Sequence, residues 1–210
     1  MKHALLICNG DLPDAAALRA RGEGAAYVLC ADGGANAARR VGMRPDAILG
    51  DFDSITTATR RHFEKLGVPL LHDPSQENTD FEKGLLHLKT LGFQHVVIAG
   101  ITGLLLDHTF GNVSILLRHA REMDIVVLDR HSRIDLITRP RRFASVVGQR
   151  VSIVPLPSAS GVTYAGLKYP LRDATLAFGI REGTCNEALG KSFRVSLNSG
   201  VLLIFRSIVD

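Results

Sequence analysis

Residues 46–54 read Asp46-Ala47-Ile48-Leu49-Gly50-Asp51-Phe52-Asp53-Ser54. A short apolar run that ends in glycine and then in acids is the pattern of a buried strand delivering a polar turn to one edge of a sheet. The same pattern recurs on both sides of it. Tyr27–Ala31 leads into Asp32-Gly33-Gly34-Ala35-Asn36, and His95–Ala99 into Gly100-Ile101-Thr102-Gly103 and then Asp107-His108. Val68–Leu71 leads through a longer loop to Asn78-Thr79-Asp80, while Ala4–Cys8 and Ile125–Leu128 complete the strand candidates. Helical patterns lie between these strands. Phe81, Leu85 and Leu88 fall on one helical face, with Glu82 and Lys89 predicted to face water. Thr79-Asp80-Phe81-Glu82 reads as a capping box that starts that helix. The alternation predicts a doubly wound, mostly parallel α/β domain over residues 1–130.

Past Asp129 the pattern changes. Ile134–Thr138, Arg150–Val154, Ala174–Phe178, Phe193–Leu197 and Val201–Phe205 are short β-type runs separated by Pro, Gly and Ser. The last two flank Asn198-Ser199-Gly200 and read as a hairpin. A smaller all-β sandwich over residues 131–210 is expected.

Composition narrows the class. The chain has 210 residues, 46% apolar and 22% charged, which excludes a disordered chain, a collagen-like repeat and a disulfide scaffold. Cys8, Cys30 and Cys185 form no metal-type pair and suggest free thiols in a reducing compartment. The apolar run before Asn9 is too short for a signal peptide or a membrane span, so a cytoplasmic protein with no membrane partner is expected. The net charge of +4 is uneven: residues 1–130 carry 14 Lys/Arg against 16 Asp/Glu, and residues 131–210 carry 11 against 5. The arginines of the second part are scattered among strands instead of massed, which argues against nucleic acid.

In an open α/β sheet, ligands bind beyond the carboxyl ends of the strands. Parallel strands therefore bring Asp32, Asp51, Asp53, Asp80 and Asp107 to one edge. If residues 51–53 are extended, Asp51 and Asp53 point the same way and Phe52 points to the core. Two carboxylates about 6–7 Å apart suit a hard divalent cation, and without one their repulsion is on the order of 2–3 kcal/mol. The alternative is that Asp53 or Ser54 caps the next helix while Asp51 is solvated. Asp80 and Asp107 likewise suit helix starts. Gly33-Gly34 and Gly100…Gly103 fit turns that bring backbone close to a phosphate, or plain strand-to-helix turns. His108 stands beside Asp107. Gly190-Lys191-Ser192 lacks both the leading glycine and the following helix of a P-loop, and no Ser or Cys sits in a nucleophile elbow.

The ordered set Asp32-Gly33-Gly34-Ala35-Asn36, Pro45-Asp46, Gly50-Asp51-Phe52-Asp53-Ser54, Thr79-Asp80-Phe81-Glu82-Lys83 and Gly100…Gly103…Asp107-His108-Thr109…Asn112 resembles thiamine pyrophosphokinases. Gly166-Leu167-Lys168-Tyr169-Pro170-Leu171 and Gly183-Thr184-Cys185-Asn186-Glu187 continue the resemblance into the β part. It implies a kinase that moves pyrophosphate from ATP to thiamine, giving thiamine diphosphate and AMP, in a homodimer with composite sites between subunits. It implies Mg²⁺ and triphosphate at Asp51, Asp53, Asp80 and Asp107. Asp32, Gly33, Gly34, Asp46, Lys83, Gly103 and His108 are implied on the nucleotide side, and Thr184, Cys185 and Asn186 on the thiamine side. The chain departs from the family at Leu105, where an arginine is usual, and at Cys185, where a serine is common. Competing readings are a pyrophosphokinase for another primary alcohol such as a hydroxymethylpterin, a nucleotide- or RNA-binding regulator, and a weakened thiamine sensor.

Overall fold

The computed structural model describes residues 2–208, and the chain divides into two units. One runs to Leu116 and takes back Val127–Arg130, while the other holds Leu117–Val126 and the chain from His131 onward.

In the first unit strands and helices alternate: β1 (Ala4–Ile7), α1 (Ala15–Glu23), β2 (Tyr27–Ala31), α2 (Gly34–Arg40), β3 (Ala47–Gly50) and α3 (Thr57–Lys65). They continue as β4 (Leu70–His72), α4 (Asp80–Thr90), β5 (His95–Ala99), α5 (Leu106–His119) and β6 (Asp124–Leu128), of which the end of α5 from Leu117 and β6 up to Val126 are counted with the second unit. The strand order is β4-β3-β2-β1-β5-β6. The pairs β1 with β2 and β5, β2 with β3, and β3 with β4 are all parallel. Ala4 to Ile7, Val28 to Ala31 and Val96 to Ala99 are buried, as runs covered on both faces require.

Helix starts are set by side chains that satisfy orphan amides. Asp14 accepts from Ala16 N and Ala17 N at 2.9 and 2.8 Å, Thr56 from Thr59 N at 3.2 Å, and Thr79 from Glu82 N at 3.3 Å. The α4 stripe buries Phe81, Leu85 and Leu88 as expected, and Lys89 is exposed. Glu82 is buried instead of facing water, and so is its neighbour Lys83. A second face of α4 is therefore covered as well.

The order reverses between β1 and β5, a switch point of the kind at which such sheets take ligands beyond their carboxyl ends. The loops leaving these strands are hydrogen-bonded together: Gly10 N donates to Gly100 O at 2.8 Å and Asp11 N to Thr102 O at 2.7 Å. Any side chain at Gly10 would meet Thr102 O at 2.3 Å, so only glycine permits the approach.

The second unit is built on β9 (Arg150–Ala165), with β7 (Ser132–Ile137), β8 (Arg141–Ala144), β10 (Leu171–Ala177), β11 (Gly183–Glu187), β12 (Ser192–Ser196) and β13 (Ser199–Ser207). β10 and β11 run antiparallel along β9, as do β12 and β13. β7 adds to β13 and β8 to β12. Phe143 stacks on Phe193 with centroids 5.1 Å apart, in a core shared with Val151, Ile153, Val162 and Leu202.

The expected hairpin at Asn198-Ser199-Gly200 is not there. Arg194 to Ser196 pair with Ala165 to Thr163, and Ser199 and Gly200 carry the same register on to Ser160 and Ala159. The chain runs straight on because the segment is tied to β9. Asn198 N donates to Ser160 O at 2.8 Å, and the Ser160 and Ser199 hydroxyls lie 2.8 Å apart.

Asp135 on β7 is fully buried beneath Arg133 and Arg206, whose nitrogens lie 3.1 and 2.8 Å from its oxygens. Burial raises this carboxyl, but the two guanidinium groups outweigh it and hold the group below its ordinary range. Among the described residues no helix is long and apolar enough to cross a membrane.

Candidate active site

Strand β3 ends at Gly50, and the next residues do not continue it. Gly50 has φ +152° and Phe52 φ +67°, so the chain turns sharply after the strand. The expectation of an extended Asp51-Phe52-Asp53 with Phe52 in the core therefore fails. Phe52 is half-buried, stacked on His72 at 5.6 Å, with the Arg60 guanidinium 5.3 Å from its ring centre.

Asp32, Asp51 and Asp80 come together, each offering a carboxylate oxygen within 4.8 Å of the others. They arrive from the end of β2, the end of β3 and the first residue of α4. Gly50 leaves room for them, since a β-carbon there would stand 2.9 Å from Asp32 Cβ and 3.3 Å from the Asp80 carboxyl. Asp32 sits at φ +38° and accepts from Ser54 N at 2.8 Å and Ile55 N at 3.0 Å. Burial pushes its carboxyl up to about 6, against those two amides. Asp53 stands beside Asp32, exposed, and the Ser54 hydroxyl donates to it at 2.7 Å. That hydrogen bond, followed by the one to Asp32, holds Asp53 below the usual carboxylate range. Of this pair the buried member binds its proton more tightly.

Burial also raises Asp80, opposed by Lys83. The Lys83 ammonium donates to Asp80 Oδ1 at 3.1 Å and to Asp73 O at 2.9 Å, with its side chain only 4% exposed. Asp51 accepts from Gln76 Nε2 at 3.3 Å through one oxygen and from Asp53 N at 3.3 Å through the other. An all-oxygen donor set of this kind suits a hard cation such as Mg²⁺ or Mn²⁺. Sequence reasoning set Asp32 on the nucleotide side and did not single out Gln76, His72 or Asp73.

Gly33 and Gly34 begin α2 with their amides at the same edge. A β-carbon at Gly34 would meet Ile7 O at 2.1 Å, so this glycine serves close packing against β1. Gly103 has φ +80° and lies against the Asp11 carboxyl, which the sequence reading overlooked. Asp107 and His108 are exposed in the first turn of α5, outside the group of three carboxylates. Leu104, Leu105 and Leu106 before them are exposed as well. Asn112 Nδ2 braces the loop through Ile101 O at 2.8 Å.

Asp46 is a correction. It precedes β3, at the end of the strand opposite to Asp51, and its carboxylate accepts from Val28 N at 2.7 Å. It pins the start of β2 and is not placed to meet a phosphate at the carboxyl edge.

In the second unit Thr184 and Cys185 are exposed, and Cys185 has φ +57° with its amide donating to Ser152 Oγ at 3.0 Å. Asn186 is buried. It donates to Tyr169 O at 2.8 Å and accepts from Tyr169 N at 3.0 Å and Glu187 N at 2.9 Å. Its amide is therefore engaged in holding the Tyr169 backbone. Tyr169 itself is 61% exposed, with Lys168 Nζ 5.9 Å from its ring centre.

Turns after β2 and β3 and the start of α4 gather carboxylates at the carboxyl edge of an open parallel sheet, the edge at which α/β domains of this class receive their ligands. Sequence comparison sharpens the class: residues 19–127 match the thiamin pyrophosphokinase catalytic domain and residues 136–202 the thiamin pyrophosphokinase vitamin B1 binding domain. The chain belongs to the thiamin pyrophosphokinase family. It is 29% identical to thiamine pyrophosphokinase 1 of Arabidopsis thaliana, over 96% of this chain and 85% of that protein. It is 28% identical to the thiamine pyrophosphokinase of Bacillus subtilis, over 79% of this chain and 80% of that one. The crystal structure of thiamin pyrophosphokinase from Geobacillus thermodenitrificans superposes with a TM-score of 0.84 at 25% identity, covering 100% of this chain and 99% of that one. The fold of the Bacillus subtilis crystal structure is shared at a TM-score of 0.85 and 24% identity, covering 98% of this chain and 99% of that one.

Proposed function

We infer that this family member transfers the pyrophosphoryl group of ATP to the hydroxyl oxygen of thiamine, releasing AMP and thiamine diphosphate. The observation that carries the reading is the convergence of Asp32, Asp51 and Asp80 at the carboxyl edge of the catalytic-domain match. The vitamin B1 binding match favours thiamine over a hydroxymethylpterin. A role as an RNA-binding regulator or a sensor finds no support in these comparisons.

In the reaction the alcohol oxygen forms a bond to the β-phosphorus, and the bond from that phosphorus to the bridging oxygen of AMP breaks. Little covalent participation is needed from the protein, which has to align the reactants and stabilise charge. Asp32, Asp51 and Asp80 would hold Mg²⁺, with Asp53 beside them and Asp107 approaching from α5. The chemistry a bound Mg²⁺ supplies is neutralisation of the triphosphate and of the leaving phosphate. Lys83 holds Asp80 in place, and the alcohol proton passes to a carboxylate of this group. Gly33, Gly34, Gly103 and His108 line the nucleotide side of the edge in this reading. Thr184 and Cys185 flank the thiamine side, where Asn186 acts by holding Tyr169.

We further assign the first part of the chain, residues 1–130, to catalysis, and residues 131–210, as a β-sandwich, to thiamine binding and assembly. The working form is a homodimer with composite sites. The free Cys8, Cys30 and Cys185 fit a reducing cytoplasm, and neither nucleic acid nor membrane is a partner in this reading. Incubation with ATP, Mg²⁺ and thiamine tests the proposal: chromatography should show AMP and thiamine diphosphate in equal amounts. ADP as product, or none with thiamine present, would overturn it.

A further inference from the structure

Phe52 is an aromatic residue in the left-handed region, a conformation strained for a residue with a β-carbon. Glycine would take this turn without strain, so the ring has to be worth more than the backbone loses. Its surroundings show what it does. The ring stacks on His72 at 5.6 Å with 27° between planes, and Arg60 approaches its centre at 5.3 Å.

His72 is itself anchored. It pairs with Gly50 across β3 and β4, and the next residue, Asp73, donates its amide to Gly50 O at 3.0 Å. The carbonyl of Asp73 receives the Lys83 ammonium that also holds Asp80. One short strand end thus grips the Phe52 ring with its side chain and the Lys83–Asp80 pair with its backbone. Phe52 stands between Asp51 and Asp53, and its turn brings Asp53 N to Asp51 Oδ1 at 3.3 Å.

We propose that Phe52 is a positioning residue: its ring, held against His72 and Arg60, locks the left-handed turn that aims Asp51 at Asp32 and Asp80 and so sets the affinity of the carboxylate group for a divalent cation. The proposal rests on the reading of those carboxylates as a cation site. It assigns Phe52 no contact with nucleotide or alcohol, because its ring already packs against two side chains.

Mn²⁺ titration of the intact chain, read by calorimetry or by the electron paramagnetic resonance of unbound Mn²⁺, tests this without turnover. Phe52→Ala should weaken Mn²⁺ binding about tenfold, the loss typical when support behind a ligand is removed. Phe52→Gly should weaken it similarly although it relieves the strained backbone, and Phe52→Tyr should restore it. His72→Ala should move affinity in the same direction and leave the KM for thiamine unchanged. Should Phe52→Ala fail to fold, Phe52→Leu and His72→Ala decide the matter. Wild-type affinity in folded Phe52→Gly and His72→Ala variants would overturn the proposal. Asp51→Asn serves as the control: if it too binds Mn²⁺ as wild type does, the cation site itself is wrong, whereas loss there with no loss at Phe52 or His72 refutes only the positioning role.

Discussion

Lys83 and Asp80 lie one helical turn apart on α4, joined by a 3.1 Å hydrogen bond from ammonium to carboxylate in which the lysine is the more buried partner. A buried ammonium facing a cluster of acids opposes the rise that burial imposes on one of them and holds it in place. Lys83→Met should therefore leave Asp80 without its partner, raise that carboxyl further, and lower kcat/KM by about 10²-fold. Steady-state kinetics at saturating Mg²⁺ checks this. A change confined to the KM for thiamine would contradict it.

The acid limb of activity and of stability should carry opposite signs. Asp32 has its pKa raised to about 6 by burial, so the folded state binds this proton more tightly than the unfolded chain does. The cation-free protein should gain stability as pH falls from above 6 towards about 4, and Asp32→Asn should flatten that gain. Cation affinity runs the other way. Binding needs the ionised carboxylate, so Mn²⁺ affinity should drop as pH falls below 6. Thermal melts and Mn²⁺ titrations over the same pH range check both signs.

In the second unit, Asp135 is a stability test independent of chemistry. Removing it by Asp135→Ala leaves Arg133 and Arg206 without their buried counter-charge, which should cost about 3–5 kcal/mol. Urea unfolding followed by circular dichroism reads the effect. A loss below about 1 kcal/mol would show that the arginines relax into water.

Leu105 is 60% exposed on the loop before Asp107, so an arginine there meets no steric obstacle. Leu105→Arg should lower the KM for ATP or raise kcat, because in the proposed function it adds a cationic donor on the phosphate side of the edge. Kinetics unchanged in both parameters would remove this loop from the nucleotide site.

Much of the first unit was legible because buried parallel strands announce themselves. Tyr27–Ala31 and His95–Ala99 are apolar runs cut off sharply by glycine and acid, and their observed bounds coincide with the expected ones. Thr79 was legible as a cap for a similar reason, being a local signal three residues from its partner amide. What failed depended on backbone torsion or on distance along the chain. Periodicity puts Phe52 in the core and Asp51 with Asp53 on one face, and cannot reveal that Gly50 and Phe52 break the strand. Asp46 carried the family pattern, yet its carboxylate accepts from Val28 N at the start of β2. Arg206 reaches Asp135 from 71 residues away, a separation at which no sequence window operates. Asn198-Ser199-Gly200 has hairpin composition, but the competing hydrogen bonds from β9 keep the chain straight.

In the proposed function, carboxylates gathered after β2, after β3 and at the start of α4 carry the transfer. The most direct measurement is AMP release from ATP, with thiamine and Mg²⁺, by folded Asp51→Asn and Asp80→Asn variants beside the unaltered chain. The expected result is a loss of at least ~10²-fold in both, with unchanged circular dichroism and assembly. Near-normal AMP formation by either folded variant would contradict the account.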